Sequence, residues 1–115
     1  MTEITPNQVV TGLMELAREL ARLSSDLDRI EVEAVNRRED YTLALSRAFL
    51  IAEGAMELRK HEAIVRTSPE RLAAETAEAL VRGRKRQLDS LKVRVDVGRS
   101  AAAAVRAEMD LERVR

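Results

Sequence analysis

A chain of 115 residues with 45 % hydrophobic and 35 % charged residues, one Tyr, one Phe, no Trp, four Gly and two Pro is one small domain whose balance favours long helices over sheet. No cysteine is present, which excludes a disulfide framework and a thiolate metal site. The formal net charge is zero, yet residues 1–66 carry 9 basic against 12 acidic side chains and residues 67–115 carry 11 against 8, an opposition that suits antiparallel pairing of two halves.

The N-terminal stretch MTEITPNQVV has no basic region followed by an apolar run, so no signal peptide is expected. No segment approaches the roughly 20 apolar residues of a membrane span. The reading is a soluble cytoplasmic protein without membrane contact. A chain this short buries only part of its surface, so partners are expected.

The first helix is expected over residues 5–53. Thr5 caps it, Pro6 suits the first helical position, and Gln8 closes a capping box. Apolar residues then recur at steps of three and four: Leu13, Leu16, Leu20, Leu23, Leu27, Ile30 and Ala34, then Arg37, then Tyr41, Ala44, Ala48 and Ile51. This is a heptad seam of about five repeats.

Residues 54–67 form a connection, read as a short capping helix, although its weak alternation also permits a strand. A second helix is expected over residues 68–112, with Thr67 or Ser68 as cap, Pro69 in the first turn and Glu70 favoured by the helix dipole. Its seam runs through Ala73, Ala77, Leu80, Arg84, Leu88, Leu91, Val95, Gly98, Ala102, Val105 and Met109, with a four-four stutter at Arg84.

Two seams in one chain predict an all-α fold, a long antiparallel, coiled-coil-like helical hairpin in a single domain. A symmetric reversal sets Leu23 against Gly98, Leu20 against Ala102 and Ala34 against Leu88, large facing small. It also sets Arg37 against Arg84. Two guanidiniums in one dry layer need carboxylates, water or a bound anion, and Glu75 and Glu78, with Glu39 and Asp40, lie within a helix turn or two. The four residues Arg37, Arg84, Glu75 and Glu78 are read as a buried polar layer that specifies register. Leu43, Leu45, Phe49 and Leu50 fall off the seam and need a second burial partner. A homodimer forming a four-helix bundle supplies it.

The stretch ALVRGRKRQLDSL concentrates Arg82, Arg84, Lys85 and Arg86. At about 100° per residue Arg82, Lys85 and Arg86 share an outer arc with Lys92 at its edge, while Arg84 turns inward. The arc reads either as a solvated helix face or as a strip for contact with about four phosphates. Aromatic residues for base stacking are absent from it.

Catalytic signatures are missing. His61 is the only histidine and no Glu-x-x-His pair accompanies it, so no metal and no cofactor is expected. Ser24, Ser25 and Ser46 have no base nearby, and no Gly-rich phosphate loop occurs. An enzyme is not expected.

The segments REDYTLALSRAFLIAEGAMELRKHEA and AAETAEALVRGRKRQLDSLKVRVDVGRSAAAAVRAE resemble short helical proteins encoded by tailed phages of actinobacteria, often among early or DNA-metabolism genes. In such relatives Gly-Ser stands where this chain has Gly54-Ala55. The resemblance implies a setting in the cytoplasm of an infected or lysogenic host cell, and no catalytic residue. The function expected is therefore a non-enzymatic helical interaction module that binds or modulates a host or phage protein. The alternative is an accessory DNA-binding protein of phage replication or recombination, using Arg82, Lys85, Arg86 and Lys92.

Overall fold

The computed structural model describes residues 5–114. Three helices account for nearly all of them: α1 (Pro6–Ile51), α2 (Met56–Arg66) and α3 (Ser68–Val114). No strand occurs among the described residues.

α1 opens on a reciprocal capping box. The Thr5 backbone N–H donates to Gln8 Oε1 at 2.9 Å, and the Gln8 N–H donates to Thr5 Oγ1 at 3.2 Å. Two of the amide donors that every helix start leaves unpaired are thereby satisfied. The helix stops at a tight turn in which Gly54 has φ +105°, a region that side chains other than glycine rarely enter. Ala55 occupies the N-cap of α2 and provides no side-chain cap.

The end of α1 is closed from α2 instead. Arg59 Nη2 donates to the Phe49 carbonyl at 3.1 Å, and the same guanidinium lies 4.7 Å from the Phe49 ring centroid. One late carbonyl of α1 thus gains a charged donor, and the ring gains a cation on its face. Between α2 and α3 only Thr67 intervenes. It is buried, its Oγ1 donates back to the Ala63 carbonyl at 2.8 Å, and its own carbonyl accepts the Arg71 N–H at 3.0 Å. Pro69 follows in the first turn of α3, where its missing N–H costs nothing.

Packing divides the chain into two units. Unit 1 joins α1 up to Ser25 with α3 from Lys85 onward, and unit 2 comprises Asp26–Arg84. In unit 1, Leu23, Leu88, Leu91 and Val95 are buried, with Leu13, Leu16, Leu20, Gly98, Ala102 and Val105 half-buried. In unit 2 the buried apolar residues are Ile30, Ala34, Ala48, Ala52, Ala63 and Ala74. Alanine at these positions lets helix backbones approach closely.

Burial corrects the two seams read from spacing. In α3 one line of sheltered positions runs through Glu70, Ala74, Ala77, Val81, Arg84, Leu88, Leu91, Val95, Gly98, Ala102 and Val105 in alternating steps of four and three with no stutter at Arg84, and Ser68, Ala73, Glu78 and Gly83 are half-buried beside it. Leu80 and Met109 are exposed. A four-four step lies in α1, where one line of shelter passes from Ile30 to Ala34 to Arg38 and then to Tyr41, Leu45, Ala48 and Ala52, with Ala44 and Phe49 half-buried beside it. A step of this kind changes the local winding, and it leaves Arg37 and Ile51 outside.

The pairing of layers also differs from a symmetric reversal. A Cβ on Gly98 would lie 2.8 Å from Leu13 Cδ2 and 3.9 Å from Leu16 Cδ1, so Gly98 meets these residues in place of Leu23. The chain reverses at the Gly54 turn, and Arg59 of α2 already contacts Phe49. Within unit 1, the α3 partner of Leu13 therefore comes earlier in the chain than a reversal centred near residue 60 would place it.

Candidate interaction surfaces

The polar layer expected around Arg37 and Arg84 is built differently. The Arg37 side chain is 50 % exposed, and its Nε donates to Glu33 Oε1 at 2.8 Å within α1. Arg37 therefore does not belong to a buried layer. Its neighbour Arg38 takes the place on the sheltered side and forms a bidentate pair with Glu78: Nε donates to Oε2 at 3.1 Å, and Nη2 donates to Oε1. Planar fork-to-carboxylate pairing is the strong form of such a contact.

The hydrogen bond from Arg38 holds the Glu78 carboxyl below the usual carboxylate range, against an opposing effect of desolvation, and Arg82 adds to the lowering. The same bond raises Arg38 above the ordinary arginine value. Arg38 also stands 5.5 Å from the centroid of the Tyr41 ring. Arg84 is half-buried and engaged, whereas Glu75 is exposed. Of the four residues expected in the layer, Glu78 is the one in the observed cross-helix pair, and its partner Arg38 was not anticipated.

Arg82, Lys85, Arg86 and Lys92 are all exposed on α3. Arg82 lies in unit 2, and the other three lie in unit 1. Arg82 directs part of its field at Glu78, and Lys85 is engaged by another group.

The four apolar residues assigned to a partner surface separate into two pairs. Leu45 and Phe49 are half-buried, with Phe49 lying under Arg59. Leu43 and Leu50 remain exposed, Leu50 at 73 %. They are accompanied in unit 2 by Val32, Val35, Ile51, Met56, Leu58 and Val65, all exposed as well. Leu58 and Val65 flank His61 along a shallow groove on α2 that Glu62 and Arg66 complete. A second shallow cleft is lined by Arg37, Asp40, Pro69, Glu70 and Ala73.

Among the described residues no three His, Cys, Asp or Glu side chains converge as a metal site. No helix among them is long and apolar enough to cross a membrane. No protein family, curated protein or solved structure matches the chain.

Proposed function

We propose that the chain is a non-enzymatic helical interaction module, an antiparallel hairpin that dimerises so that two chains contribute four helices, and that it binds or modulates another protein. One observation carries this reading. Unit 2 buries alanine almost exclusively, while Val32, Val35, Leu43, Leu50, Ile51, Met56, Leu58 and Val65 face solvent. Burial of a large aliphatic side chain is worth about 1.5–3 kcal/mol, far more than a methyl group returns. Folding of unit 2 thus leaves a set of large aliphatic side chains in water, and binding of a partner is the way to cover them.

The hairpin is supported by the order of contacts within each unit: Phe49 with Arg59 and Arg38 with Glu78 in unit 2, and Leu13 and Leu16 with Gly98 in unit 1. The likeness to phage-encoded helical proteins sets the module in an infected or lysogenic host cell, acting on a host or phage protein. The test is sedimentation equilibrium combined with capture from host lysate by the native chain and by Leu43→Arg/Leu50→Arg. The native chain should be dimeric and should retain a discrete protein that the variant loses. Equal retention by both chains refutes the assignment of the surface.

DNA is the competing ligand, favoured by the exposure of Arg82, Lys85, Arg86 and Lys92. Backbone contact of this kind weakens steeply with salt. If charge reversal of Arg82, Lys85 and Arg86 abolishes a low-salt mobility shift, DNA replaces protein as the target.

A further inference from the structure

α3 is apolar on two opposite sides in unit 1. One side holds Leu91, Val95, Gly98, Ala102 and Val105, sheltered against α1. The other holds Val93, Val97, Ser100, Ala104, Ala107 and Leu111 and continues to Val114, every one exposed. The relative exposures are 61 % at Val93, 65 % at Val97 and 65 % at Leu111. The spacing alternates four and three throughout, about three heptads over roughly 33 Å of helix. A polar residue interrupts it once, at Ser100. An amphipathic helix packed on one partner would carry charge on this side.

We propose that a second copy of this chain covers this face, its α3 lying parallel and in register with the first. The proposal rests on the homodimer in the reading above and names its seam. Charge selects the occupant and its direction. In a parallel, in-register pair each residue flanking the seam stands beside the residue five positions on in the other helix. Asp89 then meets Arg94 of the second copy, and the two-fold axis repeats the contact. The other flanking pairs among the described residues, Asp96 beside Ala101 and Ala103 beside Glu108, hold one charge each and bring no like charges together. An antiparallel pair that sets Val93 opposite Leu111 instead brings Arg94 to Glu108 on one flank and Asp96 to Asp110 on the other. Like charges at close range offset what the opposite pair contributes.

The native chain has no cysteine, so single substitutions report direction cleanly. Val93→Cys and Leu111→Cys, each oxidised alone, should form disulfide-linked dimers. A heterodisulfide formed only on mixing the two variants overturns the parallel arrangement. Independently, Val97→Lys should weaken the dimer by roughly 100-fold or more, the equivalent of two buried valines lost per dimer, with far-UV circular dichroism unchanged at high concentration. Val32→Lys, an exposed position in unit 2, should leave the dissociation constant within about twofold, well under 1 kcal/mol. If Val97→Lys leaves the dimer intact while Val32→Lys breaks it, the homodimer stands and this seam is wrong. If the native chain is monomeric at about 100 µM, both fall, because such an interface would be weaker than about 5.5 kcal/mol.

Discussion

Gly98 provides the sharpest test of how α1 and α3 meet. Replacing a helix-interior glycine by alanine gains about 1 kcal/mol of propensity. Here the added Cβ would lie 2.8 Å from Leu13 Cδ2, with Leu13 Cγ at 3.6 Å. The obstructing atom is the far methyl of a half-buried leucine, so it moves aside by an off-rotamer adjustment costing about 0.5–1.5 kcal/mol. The two effects nearly cancel, and Gly98→Ala should change stability by less than about 0.5 kcal/mol. In a Leu13→Ala background the obstruction is gone, and the same change should stabilise by about 1 kcal/mol. Chemical denaturation of the four proteins at one fixed concentration measures this coupling as a double-mutant cycle. Leu23 lies ten residues further along α1, about 15 Å away, so Gly98→Ala with Leu23→Ala should be additive within about 0.3–0.5 kcal/mol. Additivity with Leu13 and coupling with Leu23 would restore the symmetric register and refute the close approach described above.

Three further outcomes are expected. Thr5→Ala removes the Oγ1 acceptor of the Gln8 amide and should cost about 1 kcal/mol, seen as faster hydrogen exchange in the first turn of α1. Glu78 has a folded carboxyl pKa held below its ordinary value by Arg38. Its contribution is therefore present above the unfolded pKa and lost as pH falls through the folded one. Thermal melts between pH 7 and pH 3 should show a loss in the acid range that is smaller in Glu78→Gln. Arg59→Lys keeps the charge but forfeits the planar contact with the Phe49 ring and the bond to its carbonyl. It should cost about 1–2 kcal/mol, with exchange quickening at Phe49–Ala52. An unchanged melt would mean that the end of α1 is held by other contacts.

What could be read from the sequence was local. Thr5, Pro6 and Gln8 determine a helix start through contacts within four residues, and the capping box forms as spacing suggests. The all-α character follows equally from short-range periodicity. Longer-range choices were not legible, because two periodic seams slide past each other by a heptad at little cost in pattern. The deciding feature is the tight turn at Gly54, with α2 docked through Arg59 on Phe49. Counting steps of three and four also cannot distinguish Arg37 from Arg38, which are adjacent and chemically identical. Geometry distinguishes them, since only Arg38 reaches Glu78 across the helices. The stripe from Val93 to Val114 is visible in spacing, yet its meaning depends on knowing that Leu91, Val95 and Gly98 are the positions already occupied.

The two open apolar surfaces call for partners of different kinds. On the back of α1 the line through Val32 and Leu50 passes Asn36, Glu39, Leu43 and Ser46, so polar groups interrupt it at three of the four intervening positions. A knobs-into-holes helix partner would have to bury those groups unpaired, at a cost of about 1–3 kcal/mol each. An irregular protein surface can bind Val32, Leu43 and Leu50 as separate anchors and leave Glu39 in water. On α3 the stripe from Val93 to Leu111 carries a single hydroxyl, at Ser100, and a serine within a helix has its own backbone carbonyl four residues back as an acceptor if water is removed. A partner helix with the same repeat loses nothing there, and the second copy of the chain is one that is always at hand. The proposed self-association through α3 and the proposed recognition of another protein through α1 and α2 therefore draw on different residues. It follows that Val97→Lys should release monomers that still bind the target, with avidity lost and single-site affinity kept, whereas Leu50→Arg should leave the dimer intact and silence it.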